Sequence, residues 1–219
     1  MTILMRRLAA RALLFGALLN LAACASGGPA PTRDAEKLAE RALSLGDPAP
    51  LYDFYRGVSV GAISSATVSV ADALRRLGDF HAQGIAVPKD YGAAAKWYAE
   101  AAERGRSVRI NVARDDNDTH ANWNNYLRAR LLETGGFGLG ADAKEAAALY
   151  RLCAEALFAP CQDRLGDLYA EGLGVPKDDA QAIEWWRLAA SEIFAGQPTP
   201  LAVRAGEKYA AKRASGGTR

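Results

Sequence analysis

The chain has no apolar run long enough to make a comfortable membrane-spanning helix. Its longest, Leu8 to Leu21, is too short and too interrupted for the roughly 20 apolar residues that a bilayer core requires. It also has little excess of charge, with 27 Lys and Arg against 25 Asp and Glu for a net of +2, so no basic face argues for nucleic acid. No Ser-x-x-Lys occurs anywhere, which leaves the usual serine mechanism of β-lactam enzymes without its residues. Histidine occurs twice and cysteine three times, few donors for a zinc site.

What the first residues do contain is a processing pattern. Arg6, Arg7 and Arg11 precede or open the Leu- and Ala-rich stretch, which suits a secretory signal better than a membrane anchor. Leu21 to Cys24 reads "LAAC", followed by the Gly- and Pro-bearing "ASGGPAPT". This resembles the lipobox of bacterial lipoproteins. The resemblance implies a signal peptide over 1–23, cleavage before Cys24, lipidation of that cysteine and a flexible linker over 24–32. Ala25 and Ser26, rather than Asp, follow the cysteine, which implies an outer-membrane lipoprotein facing the periplasm. Residues 1–23 hold three of the cations and none of the anions. The processed chain would therefore carry 24 cations against 25 anions, a net of −1. Its 196 residues are enough for one domain with a real core.

The body of the chain repeats itself. Gly84 and Val87-Pro88-Lys89-Asp90 superpose on Gly172 and Val175-Pro176-Lys177-Asp178 at an offset of 88 residues, with Trp97-Tyr98 on Trp185-Trp186. A third copy lies between them: Gly138, Asp142 and Tyr150 fall 36 residues before Gly174, Asp178 and Trp186, a spacing typical of a helix pair in a solenoid. The remaining 52 residues hold one repeat plus an insertion of 16. In the third copy Leu165, Leu168 and Tyr169 set helical spacing, and Gly172 can turn left-handed to end that helix. Asp178 with Gln181, and Asp142 with Glu145, form capping-box patterns, while Asp90 has only Ala93 in the second slot. Ala182, Trp186, Ala189 and Ala190 share one face of the second helix, as do Ala94, Tyr98, Ala101 and Ala102. Repetition at equivalent positions marks these aromatics as core rather than as a ligand cage.

"LGDLYAEGLGVPKDDAQAIEWWRLAA" resembles the Sel-one-like repeat, a subfamily of the tetratricopeptide-type α/α solenoids, in three copies over Ala73 to Ala190. The second copy is looser, with Gly140 for the loop Pro and Leu149 for the first aromatic. The resemblance implies an all-α solenoid of helix-turn-helix units, here after a cleaved lipoprotein signal peptide. Its expected parts are an N-terminal helical cap over 33–70, repeats over 71–105, 121–157 and 158–192, an insertion loop over 106–120, a capping helix within 193–214 and a tail over 215–219. Cys153 and Cys161 have the eight-residue separation of the cysteine-rich secreted members, which implies a disulfide across the inter-repeat turn. With Cys24 given to lipid, no cysteine is left for a metal.

Four local patterns were open to a chemical reading. Gly57-Val58-Ser59-Val60-Gly61 matches the nucleophile elbow, with Asp115, Asp116 or Asp118 and then His120 in the right order, yet a helical-repeat chain offers no sheet on which to mount it. The β-branched "VSVGAISSATVSV" fits a strand by propensity and a packed helix by context. His81 stands where Tyr169 stands in the third copy. The insertion, Arg106 to His120, has some of the oxygen density calcium wants but lacks EF-hand spacing, and Asp118 or Thr119 is placed to cap the next helix.

A solenoid presents an extended concave surface to another macromolecule. The expected function is therefore a lipid-anchored periplasmic adaptor that binds an envelope protein or complex, with no catalytic residue, cofactor, metal or nucleic-acid partner. Its candidate contact face is the polar side of the first helices: Arg75, Arg76, Asp79 and Gln83, then Asn122, Asn125 and Arg128, then Gln162, Asp163 and Asp167. The alternative implied by the cysteine-rich relatives is a penicillin-binding or β-lactamase-like activity.

Overall fold

Alternating stretches of Ala and large apolar residues at helical spacing cannot bury their faces singly, so they pair. The computed structural model describes residues 32–65, 67–107, 117–194 and 197–216. Its elements in order are α1 (Thr32–Ser44), α2 (Ala49–Ser59), α3 (Val70–Gln83), α4 (Tyr91–Ser107), α5 (Asn117–Thr134), α6 (Ala143–Glu155), α7 (Ala159–Glu171), α8 (Asp179–Ala189), β1 (Ile193–Phe194), β2 (Gln197–Pro198) and α9 (Pro200–Gly216). The fold is an α-solenoid in which each helix packs chiefly on its neighbours in sequence. The expected signal peptide over 1–23, the expected lipidation site Cys24 and nearly all of the expected linker over 24–32 lie outside the described residues.

Three helix pairs carry the repeat: α3–α4, α5–α6 and α7–α8. Gly172 ends α7 at φ 77°, as its place after the last apolar turn predicts. Asp90, Asp142 and Asp178 each cap a second helix, accepting the N–H of Ala93, of Glu145, and of Ala180 and Gln181, at 2.8 to 3.0 Å. The reciprocal half of the capping box is displaced. The N–H of Asp142 donates to Leu132 O and that of Asp178 to Tyr169 O, so each cap is tied to the preceding helix instead. Asp90 N–H donates to His81 O in the same way, which is why Ala93 in its second slot costs the first repeat nothing.

The segment over 33–70 contributes α1 and α2. Tyr52, Phe54 and Tyr55 of α2 pack on Phe80 and its neighbours in α3 and extend the core by one more helix pair. "VSVGAISSATVSV" makes no described strand. Its first residues finish α2, and Ile63 and Val68 then tuck against the same core. Ser59 therefore sits in the last turn of a helix with its hydroxyl donating to Arg56 O at 2.9 Å, the reverse of the strand-to-helix turn an elbow needs.

Two expectations shift at the helix ends. The insertion expected over 106–120 is shorter, because α4 runs to Ser107 and α5 begins at Asn117, which places Asp118 and Thr119 inside a helix rather than at its cap. The residues between, 108–116, lie outside the described residues, and with them Asp115 and Asp116. Within the segment expected to hold the capping helix, the helix starts only at Pro200, since Gln197–Pro198 pairs antiparallel with Ile193–Phe194 in a small ribbon. Thr199 then caps α9 by accepting the N–H of Ala202 at 3.1 Å.

Along the array α3 touches α5, Arg164 of α7 bonds Glu133 of α5, and α7 touches α9, so the first helices line the inner side. In this arrangement α9 takes the place that the first helix of a further repeat would occupy, packed on α8 and edging onto α7.

Candidate functional site

In repeats one and three, a glycine and a carboxylate on the first helix receive the aromatic of the second. Tyr98 lies over Gly78, where a Cβ would come within 2.4 Å of the ring, and its hydroxyl donates to Asp79 at 2.9 Å. Trp186 lies over Gly166, where a Cβ would meet it at 2.6 Å, and its indole N–H donates to Asp167 at 3.0 Å. The glycine makes room for the ring, and the adjacent carboxylate satisfies the ring's one polar atom. Repeat two reaches the same end differently: Tyr150, fully buried, donates to Glu133 at 3.0 Å. Burial raises the hydroxyl pKa of Tyr98 and Tyr150, and the facing carboxylates raise it further.

From Glu133 a chain of ionic contacts runs along the first helices. Arg164 of α7 is hydrogen-bonded to Glu133 of α5 and pairs with Asp167 on its own helix at 3.1 Å. Lys208 of α9 bridges Asp163 and Asp167 at 2.8 and 2.7 Å, and Arg204 pairs with Asp163 at 2.8 Å. Lys212 extends the clamp to Asp179 on α8 at 2.9 Å. Burial would raise the Glu133 carboxyl, but Arg164 and the Tyr150 hydroxyl hold it below the ordinary carboxylate range. The Glu133 hydrogen bond and charge shift Arg164 upward.

These pairings decide the fate of the sequence-derived contact face. Gln162 is buried and donates to Ala154 O across the inter-repeat turn at 3.1 Å, and Asp163 is buried beneath the cations of α9. Asn122 and Asn125 are buried as well. Asp79 and Asp167 hold the ring partners just described, Arg75 pairs with Asp79 at 2.9 Å, and Arg128 pairs with Glu145 of α6. These eight residues are buried or paired within the fold, on their own helix, with a neighbouring second helix or with α9. Arg76 and Gln83 remain exposed, both on α3. The cations of α9 escaped sequence reasoning altogether, although Arg204, Lys208 and Lys212 fall on one helical face four residues apart.

Cys153 at the end of α6 and Cys161 at the start of α7 form a disulfide, both buried, with Cα atoms 5.8 Å apart. His81 is half-buried against α2, its Nε2 3.2 Å from the Tyr52 hydroxyl. Burial lowers its pKa, against an opposing pull from Asp90. Among the described residues no group of three or more His, Cys, Asp or Glu is arranged to hold a metal ion.

The Sel1 repeat model matches residues 71–105, 125–156 and 159–192, the three helix pairs whose rings and carboxylates are described above. The fold is that of the Sel1 repeat. A Sel1 repeat protein from Oxalobacter formigenes, known from its crystal structure, is 21% identical with a TM-score of 0.49, over 74% of this chain and 97% of that one. A protective antigen present in uropathogenic Escherichia coli strains and displaying an SLR fold is 19% identical with a TM-score of 0.39, over 84% of this chain and 42% of that one. No curated protein matches the chain. The Sel1 matches stop at residue 192, so α9 and its clamp lie beyond the repeats, and α1 and α2 lie before them. Sel1 and tetratricopeptide-like repeats serve in general as protein-interaction scaffolds, and this chain offers the corresponding architecture.

Proposed function

We propose that the protein is a lipid-anchored adaptor of the bacterial cell envelope, attached to the outer membrane through Cys24 and binding an envelope protein from the periplasmic side. The observation that carries the reading is the division of the inner face. Its C-terminal half is neutralised by α9, while α3 keeps Arg76 and Gln83 exposed toward solvent. The "LAAC" sequence supports the anchor, and the disulfide suits an oxidising compartment.

The test uses the full chain expressed in a Gram-negative host fed an alkyne fatty acid. The anchor predicts that the chain takes up label, fractionates with outer membranes, and loses both properties in Cys24→Ala. Label-free chain in the soluble fraction would remove it. Crosslinked envelope from the same cells then compares the parent with Arg76→Glu/Gln83→Ala; a partner lost only from the variant assigns the α3 surface, and unchanged recovery rejects that assignment.

A further inference from the structure

The array opens where a second helix meets the loop of the next repeat. Between repeats two and three the opening is a groove with two adjoining hollows of about 480 and 470 Å³. Its floor is small and apolar: Ala147 and Ala148 of α6, with Leu152 at one side. The opposite wall is the loop before α8, where Val175 and Pro176 keep the backbone from folding over the floor. Leu152 is 45% exposed, an apolar side chain left in water at the lip of an apolar channel.

The rim is charged, and mostly of one sign. Lys144 and Arg151, seven residues apart on α6, stand along one side, and Lys177 stands across from them. Of the carboxylates that line the same space, Asp178 is already committed to the N–H groups of Ala180 and Gln181, which leaves Glu155 against three cations. At the far end Trp185 lines the second hollow, and its indole Nε1 is buried without a hydrogen-bond partner. A buried donor with nothing to donate to is costly unless something supplies an acceptor.

The equivalent opening between repeats one and two is built differently. At the offset of 52 residues Lys144 becomes Gly92, Arg151 becomes Ala99, and Leu152 becomes Glu100. The cationic rim and the apolar lip are therefore properties of this one junction and not of the repeat.

We propose that the groove between α6 and the loop before α8 binds an acidic, extended peptide segment of a partner protein. Alternate small apolar side chains would rest on Ala147 and Ala148, carboxylates would meet Lys144, Arg151 and Lys177, and a main-chain carbonyl would accept from Trp185 Nε1 after a small shift of the ring. The site is separate from the α3 surface and does not depend on the lipid anchor.

The test is fluorescence anisotropy of a dye-labelled, N-acetylated decapeptide alternating Glu with Ala and Val, beside a counterpart with Lys for every Glu. Both are titrated with the oxidised full chain at low salt. The acidic peptide should bind and the basic one should not, with affinity falling at least tenfold in Lys144→Glu/Arg151→Glu/Lys177→Glu and falling with added salt. Binding should shift tryptophan emission in the parent, and that shift should be lost in Trp185→Phe. Since Arg151 also meets the Tyr169 hydroxyl, Lys144→Glu/Lys177→Glu serves if the triple variant does not fold. Equal binding of both peptides, binding by neither, or undiminished binding by the charge-reversed chain would overturn the proposal. Arg76→Glu/Gln83→Ala should bind the peptide as the parent does, so failure of the α3 surface and failure of this groove are read separately.

Discussion

The two junctions between repeats hold by different means. The first joins α4 and α5, helices of 17 and 18 residues, and adds loop contacts: Tyr91 N–H donates to Phe137 O at 2.8 Å, and Lys89 lies 4.4 Å from the centre of the Phe137 ring. The second joins α6 and α7, each of 13 residues, and adds the Cys153–Cys161 disulfide, the Gln162 bond to Ala154 O and the Arg164–Glu133 pair. Among the described residues, the second joint adds covalent and ionic links to its packing, and those links respond to reductant and acid in a way that packing does not.

The largest expected effect comes from the loops that seat each repeat on the one before. At the second junction a Cβ on Gly174 would lie 1.9 Å from Ala143 O, a backbone atom that cannot step aside. At the first, a Cβ on Gly138 would meet only Asp90 Oδ1, at 3.4 Å. Both glycines have positive φ, so Gly138→Ala should cost about 1 to 2 kcal/mol for conformation alone. Gly174→Ala should cost more than about 3 kcal/mol. Ala86 already holds a Cβ at φ 61°, which shows that the conformation itself is tolerable. Urea unfolding of the two variants makes the comparison, and equal losses would break it.

Removing the disulfide comes next. For an eight-residue separation the chain-entropy estimate is about 2 to 3 kcal/mol, and Cys153→Ala/Cys161→Ala should lose that much in urea unfolding. The same variant should leave proteolytic protection of α3 and α4 unchanged, because no part of the first junction passes through Sγ.

The ladder along the first helices was the part least legible in the sequence. Repeat period, helix pairing and capping aspartates could all be read, since each is a local pattern or a spacing, and the cysteine pair followed from the family resemblance. The contact face could not, because whether Asp163 or Asn125 faces solvent depends on how closely neighbouring first helices approach. That distance is set by residues dozens of positions away, such as Lys208. The start of α5 at Asn117 was missed for a related reason: Asp118 and Thr119 are good caps by type, but the helix begins before them.

Smaller effects sharpen the contrast by pH. The carboxyl of Glu133 is depressed in the folded state, so its contribution is present at neutral pH and is lost as pH falls from the ordinary carboxylate value of about 4.3 through the folded value. Glu133→Gln should flatten the acid limb of a Tm-against-pH curve while lowering Tm at pH 7. His81 is also depressed, so it favours the folded state above its ordinary pKa of about 6.5, and this contribution declines as pH drops below it. His81→Gln should remove a shallow slope between pH 7 and 5, a change of about 1 °C or less that scanning calorimetry can register.

Hydrogen exchange of the full chain, followed by mass spectrometry with and without reductant, tests the division between the junctions most directly. Reduction should speed exchange in peptides from α6 to α8 while those from α3 to α4 keep their protection. Uniform loss along the array, or loss confined to α3 and α4, would contradict the claim that the disulfide holds the second junction.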